Sequence, residues 1–236
     1  MILTGRSTKL LLHVGVCVLL FAAPAIVNAD SIFSNFGAGS SYNTLGGNPV
    51  GNGLDGSGFD YAEGNSFIAS QSSALASISV ALSCAVCPAG DAITVNLTQN
   101  AGNQPGSVME SFSILGNSLG TLGNNNAPVT LNSLLHPTLS IGTEYWVTVI
   151  GPASSAVAWN WNSTGDVSPQ AISADGGITW FSPSGLTPGA LAVNGVGAPE
   201  PGTLLLVTTG VLGLSVTRLQ RFPKRKRAGS VASARK

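Results

Sequence analysis

The sequence predicts an all-β domain, an antiparallel two-sheet sandwich of jelly-roll-like topology, and three observations favour this class. Short alternating segments rich in β-branched and aromatic residues recur along the middle of the chain, at 78–83, 92–98, 108–115, 129–134, 145–150 and 157–161. Gly, Asn, Ser and Pro separate these segments, as is typical of turns between strands. No window of a dozen residues shows a helical stripe of apolar side chains. About ten short strands in one domain are typical of a two-sheet sandwich.

Residues 1–29 have the parts of a secretory signal peptide. Arg6 and Lys9 make the beginning positive, residues 10–23 are apolar, and small residues precede Asp30. This arrangement predicts cleavage by signal peptidase after Ala29. The alternative is a retained N-terminal membrane anchor, which the short apolar part disfavours. Export would place the following residues in an oxidising compartment.

Charge is distributed unevenly along the chain. All ten Lys and Arg side chains lie towards the two ends, and none occurs between Asp30 and Pro199, a stretch that holds nine of the ten acidic residues. A domain without cationic side chains cannot neutralise nucleic-acid phosphates or clamp a substrate carboxylate through Arg. The composition therefore excludes nucleic acid as a partner of this stretch and favours an exported, loop-rich β-protein over a helical cytosolic enzyme.

The C-terminal part of the chain contains a second apolar segment. Pro199, Glu200 and Pro201 precede an apolar run at 202–217, and an Arg/Lys cluster follows at 218–227. A helix over this run would be about 24 Å long, marginal for the hydrocarbon core of a bilayer. A basic cluster directly after an apolar run indicates the cytoplasmic side, so the acidic middle of the chain would lie outside. A nucleic-acid patch is the less favoured interpretation of the cluster.

This tail resembles the PEP-CTERM sorting domain, which exosortases recognise in Gram-negative bacteria that make exopolysaccharide. The resemblance covers about residues 198–227 and includes the Pro-Glu-Pro motif, the helix at 202–217 and the basic cluster, in that order. It implies that the helix anchors the precursor temporarily in the inner membrane and that an exosortase cuts near the motif. The product would then lie at the cell surface or in the extracellular matrix. The cytoplasmic end, residues 228–236, extends beyond the usual basic end of that family.

Between the two signals the sequence predicts two parts. Residues 30–65 are rich in Gly, Ser and Asn with few strand signals, so we expect a loop or a loosely attached edge. Residues 66–197 would form the sandwich. Segments at 67–82, 103–112, 142–147 and 173–180 resemble the choice-of-anchor group of bacterial β-domains, which commonly precede such tails. That group has no common enzymatic activity, so the resemblance transfers none, and we expect a non-enzymatic protein.

One segment matches the Asp-box pattern of sialidase propellers, through Ser173, Asp175, Gly177, Thr179 and Trp180. In that pattern the Asp side chain accepts hydrogen bonds from the backbone of a turn, the Gly allows positive φ and the Trp packs beneath. Propellers repeat the pattern in every blade, whereas it occurs once here. A sialidase also needs arginines for its substrate carboxylate. We therefore predict a structural turn and not a catalytic site.

Cys84 and Cys87 are the only cysteines after the predicted signal peptide. A zinc site would need further ligands, and His136 is the single histidine of the mature sequence. In an oxidising compartment this pair predicts a local disulfide and no bound metal.

Residues 116–120 match the G-x-S-x-G nucleophile elbow, but the elbow needs a strand-to-helix turn and a suitably placed acid and histidine. We interpret that match as chance and expect His136 in a loop.

The acidic residues leave two hypotheses open. Two carboxylates could serve a matrix glycosidase, although Glu110 and Glu144 lie in alternating strands and are expected to face solvent. Asp55, Asp60 and Glu63 lie in a Gly-rich stretch whose oxygen atoms could bind calcium, without the spacing of an EF-hand. No other cofactor is indicated.

Trp159 and Trp161 alternate with asparagines along a predicted strand, so both rings would project from one face. An exposed aromatic pair can stack on sugar rings, which gives the alternative function of a carbohydrate-binding module for exopolysaccharide. Burial in the core is the simpler expectation for aromatic side chains. Asn96 and Asn162 each begin an N-glycosylation sequon.

Overall fold

Thirteen strands form the part of the chain that the computed structural model describes, residues 30–52 and 58–197. They are β1 (Asp30–Ser34), β2 (Gly47–Asn52), β3 (Asp60–Ile68), β4 (Ser73–Val80), β5 (Leu82–Val86), β6 (Ala92–Asn100), β7 (Pro105–Leu115), β8 (Val129–Asn132), β9 (Thr138–Leu139), β10 (Glu144–Ile150), β11 (Ala156–Asn160), β12 (Gln170–Ser173) and β13 (Leu191–Gly195). Two single-turn 3₁₀ helices, Ala38–Ser40 and Gly116–Ser118, are the helical elements of these residues.

The strands form two antiparallel sheets in a sandwich-like arrangement, which confirms the predicted all-β class. The five-stranded sheet has the order β1-β13-β4-β8, with β9 also paired to β4. The eight-stranded sheet has the order β5-β11-β2-β3-β10-β6-β7, with β12 also paired to β3. A bend at Ala81 takes the chain from β4 in the first sheet to β5 in the second, so the predicted strand at 78–83 spans a corner between the sheets.

The core consists of alternate side chains from strands of both sheets. On β10 and β6, Val149 lies opposite Val95 and Val147 lies opposite Leu97, and all four are fully buried. The five-stranded sheet contributes buried side chains of β1, β4 and β13, which are Ile32, Leu75, Ile78, Val80, Leu191 and Val193. The buried positions are the apolar positions that alternate along the sequence of these segments.

The expectation that residues 30–65 form a loop or a loosely attached edge is wrong. This stretch contains β1, β2 and most of β3, and β3 itself crosses the expected boundary between 65 and 66. β3 pairs with β10 along one side and with β2 and β12 along the other, so it is an interior strand of the larger sheet. Its polar residues are held by partners distant in sequence: the Asn65 side chain donates to the carbonyl of Gly189 and accepts from Gln170.

Candidate functional site

The predicted sorting elements lie outside the described residues. These are the cleavage site at Ala29, the motif of Pro199, Glu200 and Pro201, and the apolar run at 202–217. Within residues 30–52 and 58–197, no helix has the length and apolar character needed to cross a membrane. The described residues do show where the chain enters and leaves the sandwich.

The two ends of the described chain are neighbours on the five-stranded sheet. Asp30, at the start of β1, is the register partner of Gly195, at the end of β13. The following residue, Val196, donates its backbone N–H to the carbonyl of Ala74 at 2.8 Å and accepts a 3.0 Å hydrogen bond from the Ser73 hydroxyl. The segments that precede and follow the sandwich therefore start from adjacent positions.

Two loops pack beside these chain ends, and together they form what we call the exit end, comprising residues 30–32, 68–75, 133–143 and 195–196. Ala69 exchanges backbone hydrogen bonds with Gly142 and Thr143, and Leu75 donates to the carbonyl of Pro137. Ser70 donates its backbone N–H to the carbonyl of Ile32 at 3.1 Å. These contacts place the loops around β9 at the same end of the sandwich as Asp30 and Gly195.

The exit end exposes large apolar side chains. The exposed fractions are 61% for Ile68, 85% for Leu134, 70% for Leu135, 64% for Ile141 and 42% for Val196. Leu134 and Leu135 are consecutive at the tip of one loop. Exposed apolar residues that occur singly are ordinary on a folded protein.

The tip with the two leucines is held by Glu110, which lies on β7. One carboxylate oxygen accepts the backbone N–H groups of Leu134 at 2.6 Å and Leu135 at 3.1 Å, and the other accepts the Ser133 hydroxyl at 2.6 Å. Glu110 is buried, so the expectation that it faces solvent is wrong. A buried carboxylate requires such donors, and here they come from a loop distant in sequence.

These contacts also set the pKa of Glu110. Burial by itself raises the pKa, but the hydrogen bonds from Ser133, Leu134 and Leu135 and the nearby His136 outweigh burial and hold the pKa below its usual value. The group is therefore ionised at neutral pH and remains an acceptor for the loop.

Glu144, the other carboxylate of the glycosidase hypothesis, is half-buried and accepts a 2.7 Å hydrogen bond from the Asn100 side chain.

Glu63 is buried in the centre of β3, and not in a loop, so the candidate calcium segment is not a single loop. One carboxylate oxygen of Glu63 has no hydrogen-bond partner, and burial raises its pKa well above the usual value. Asp55 lies outside the described residues. Among those described, no three His, Cys, Asp or Glu side chains are grouped as metal ligands.

The Asp-box segment forms a tight turn stabilised by Asp175. Its Oδ1 atom accepts the backbone N–H groups of Ile178 at 3.1 Å and Thr179 at 2.9 Å, and its Oδ2 atom accepts the Thr179 hydroxyl at 2.6 Å. The Ser173 hydroxyl donates to Asp175 at 2.7 Å and accepts the N–H of Gly177, which has a φ of 89°. This is the geometry expected of a structural turn.

Trp180 is half-buried near Gly177. The turn also touches β3, since Gly176 donates to the carbonyl of Asp60 at 2.7 Å. Asp60 begins β3 and Ile68 ends it, so the Asp-box turn and the exit end lie at opposite ends of this strand.

The tryptophan pair is not an exposed platform, and this part of the carbohydrate-binding hypothesis is wrong. Trp159 is fully buried in the core and donates its indole N–H to the carbonyl of Ala190 at 3.0 Å. Trp161 is half-buried, donates to the Asn48 side chain at 2.9 Å and has Gly46 against its ring. Trp159 belongs to the main core cluster, and Gly189 packs against its ring.

The disulfide expected from the sequence is present between Cys84 and Cys87, whose Cα atoms are 6.0 Å apart, at the end of β5.

Ser118, the serine of the G-x-S-x-G match, belongs to a 3₁₀ turn and donates its hydroxyl to the carbonyl of Leu115 at 2.7 Å. The His136 Nδ1 atom lies 2.8 Å from the carbonyl oxygen of Leu75, in a loop as expected. The geometry therefore does not join Ser118 and His136.

Both sequon asparagines are buried side chains with defined partners. Asn96 donates to the Thr148 hydroxyl at 3.3 Å. The Asn162 amide donates to the carbonyls of Asp166 and Pro188, and its oxygen accepts the backbone N–H groups of Thr164 and Asp166. In the folded domain these amide nitrogens are occupied in the interior.

The exit end is a surface feature that the sequence did not indicate. Its residues come from four separate segments, and the predicted strand at 129–134 ends at Asn132, so that Leu134 lies in an exposed loop. Comparison of the chain with known protein families, with curated proteins and with solved structures found no match.

Proposed function

We propose that this chain is an exported, non-enzymatic protein of the cell surface or extracellular matrix, and that its C-terminal tail is an exosortase sorting signal. The observation that carries the proposal is the order of Pro199, Glu200 and Pro201, the apolar run at 202–217 and the basic cluster at 218–227. The apolar run would hold the precursor in the inner membrane until the exosortase cuts near the motif. Residues 1–29 would serve as the signal peptide.

The boundaries of the sandwich support this proposal. β1 begins at Asp30, directly after the expected cleavage site, and β13 ends at Gly195, four residues before Pro199. Both processing steps would therefore leave intact every strand of the residues that the structure describes. Asp30 and Gly195, the described residues that are close in sequence to the two expected cuts, are register partners. We also propose that the sandwich has a jelly-roll-like topology.

The test is intact-mass measurement of secreted protein from a Gram-negative host with and without an active exosortase. We expect the mature N-terminus at Asp30 and, with the exosortase, loss of the residues beyond about Pro201. Glu200→Ala should abolish that loss, whereas Pro223→Ala, a change behind the apolar run, should permit it. Extracellular protein that retains residues 218–227 in the presence of the exosortase would contradict the proposal.

A further inference from the structure

We propose that two copies of this chain associate through β7, so that the eight-stranded sheet of one copy continues into that of the other. The partner is a second copy related by a two-fold axis, and the contact is antiparallel pairing of β7 with itself. This surface lies within the described sandwich, and the association does not depend on the proposed function.

Among the described strands, β7 is a long edge strand that is left open. It has 11 residues and pairs with β6 on one side. The other edge strands are protected: β8 has four residues, and β1 has five with a register shift before Phe33. Residues 120–122 cover β5 through backbone hydrogen bonds with Cys84, and Phe181 covers β12 through bonds with Ile172. Edge strands are protected in these ways because an open edge pairs with another chain.

The backbone groups of Ser111 and Ser113 point out of the sheet at this edge. Gly116 donates to the carbonyl of Asp91 at 2.8 Å, and hydrogen-bonded and non-bonded pairs alternate along an antiparallel ladder. Counted back from Gly116 along the register, Ser113 and Ser111 fall in non-bonded pairs with β6, so their N–H and C=O groups point away from it. Within residues 30–52 and 58–197 these groups have no backbone partner. They are therefore available to another strand.

The regular part of the β7 edge determines the register of the pair. A bulge at Met109 interrupts the ladder with β6, and the carbonyl of Leu115 accepts the Ser118 hydroxyl. The open and regular edge is therefore residues 110–114. Antiparallel pairing that uses all of this edge is centred on residue 112.

This register is compatible with an identical partner at every position. Ser111 of each copy lies opposite Ser113 of the other, and these two pairs form about four backbone hydrogen bonds. Phe112, which is partly buried against the core, lies opposite Phe112 of the second copy. Glu110 lies opposite Ile114, so no like charges face each other across the pair. Pairing of one edge with itself gives a closed, two-fold dimer.

The side chains beside the edge suit a second copy and not a charged partner. Glu110 is the one charged residue of β7, and its carboxylate is buried and bound by the loop at 133–135, so a basic peptide finds no free carboxylate here. The same hydrogen bonds hold the exposed Leu134 and Leu135 beside the edge, where a second copy would cover them. Protein interfaces are typically depleted of charge at their centre in this way.

The first test is sedimentation of the full chain in mild detergent at neutral pH, with the unaltered protein and two charge variants. Ser111→Lys combined with Ser113→Lys places like charges opposite each other across the two-fold axis. Ser111→Lys combined with Ser113→Glu places opposite charges there and is the matched control. Both serines are exposed, so each variant should stay folded, which circular dichroism checks.

We expect dimers of the unaltered protein and of the control, and a dissociation constant at least about tenfold higher for the variant with two lysines. Sodium chloride should strengthen the unaltered dimer, because it screens repulsion between two acidic copies. Monomeric unaltered protein would overturn the proposal. Equal dimerisation of all three proteins would also overturn it, since association would then lie elsewhere in the chain. A control that dissociates as readily as the variant with two lysines would overturn the register and the proposal with it.

The second test is disulfide cross-linking in the full chain with Cys17→Ser, where the Cys84–Cys87 disulfide leaves no other thiol. Chains with Ser111→Cys are mixed with chains that carry Ser113→Cys and are oxidised. Opposed Cα atoms about 5.5 Å apart can form a disulfide, whereas like positions of the two copies lie diagonally, about 7–8 Å apart. We expect the mixture to cross-link at least about threefold more than either chain alone. Equal cross-linking in the three samples would overturn the proposed pairing.

Discussion

The hydroxyl of Ser133 donates a 2.6 Å hydrogen bond to the buried carboxylate of Glu110, which also accepts the backbone N–H groups of the next two residues. The backbone N–H groups of Leu134 and Leu135 lie in a loop and have no strand partner, and the Glu110 carboxylate accepts their hydrogen bonds instead. It therefore connects β7, a strand at the edge of the larger sheet, to the loop that carries the exposed leucines.

Glu110→Ala should lower the free energy of unfolding by about 2–4 kcal/mol, because it leaves several donors without their acceptor. Urea denaturation at pH 7 measures this change. Glu144→Gln is the matched control, since Glu144 is half-buried and accepts from Asn100. We expect the control to lose less than about 1 kcal/mol. Equal losses in the two variants would show that the contacts of Glu110 with the loop contribute little.

Glu63 and Glu110 should give opposite pH dependences of stability. The pKa of Glu110 is lowered in the fold, so its contribution is present above the usual glutamate pKa and is lost as pH falls through the lowered value. The pKa of Glu63 is raised by burial, so stability is greatest below the usual pKa and falls as pH rises towards the raised value.

Glu63→Gln should therefore stabilise the protein at pH 8 by about 1 kcal/mol or more relative to its effect at pH 4, because a neutral amide replaces a carboxylate that has to be buried with one oxygen unpaired. Denaturation midpoints from pH 4 to pH 8 provide the measurement. Glu110→Gln, with its opposite sign, is the internal control. A pH profile unchanged by Glu63→Gln would contradict the raised pKa of Glu63.

The segments that could be predicted from the sequence are those where local pattern and burial agree. The predicted strands at 92–98 and 145–150 became β6 and β10, because alternate apolar residues face the core on each. β3 could not be predicted in this way. It is buried on both faces, and its glycine at 64 accommodates Pro105, whose Cγ would lie 3.1 Å from a Cβ there.

The candidate sites that could be predicted are those whose residues lie close together in sequence. The disulfide and the Asp-box turn are local, since all their residues fall within a few positions of one another. The exposure of Trp159 and Glu110 depends instead on strands and loops that pack on them from elsewhere in the chain. Alternation of Trp and Asn predicts the two faces of a strand, but it does not say which face is covered.

Trp159→Ala should lower the free energy of unfolding by about 3–5 kcal/mol, since it removes a fully buried indole from the core. Trp161→Ala should cost less, because that ring is half-buried. Gly189→Ala tests the same site from the other side: an added Cβ would collide with the Trp159 ring, and overpacking of this kind costs about 1–3 kcal/mol. A Trp159→Ala protein of unchanged stability that has lost binding to polysaccharide would restore the exposed-platform hypothesis.

The Asp175 carboxylate should stay ionised far into the acid range. Its pKa is lowered to about 2, first by the Thr179 hydroxyl, then by the Thr179 backbone N–H and by the Ser173 hydroxyl. Because the folded pKa is lowered, the contribution of Asp175 to the turn is present above the usual aspartate pKa and disappears only as pH falls through about 2. NMR titration of the side-chain carboxyl carbon measures this value directly.

Thr179→Val separates the contributions to that pKa. It removes the hydroxyl, the largest cause, and keeps the backbone N–H groups of Ile178 and Thr179 in place, so the pKa of Asp175 should rise towards its ordinary value while the turn persists. Ser182→Ala is the control, because that hydroxyl donates to the carbonyl of Asn103 and not to the turn. If the pKa of Asp175 is the same in Thr179→Val as in the unaltered protein, the hydroxyl is not what stabilises the charged turn.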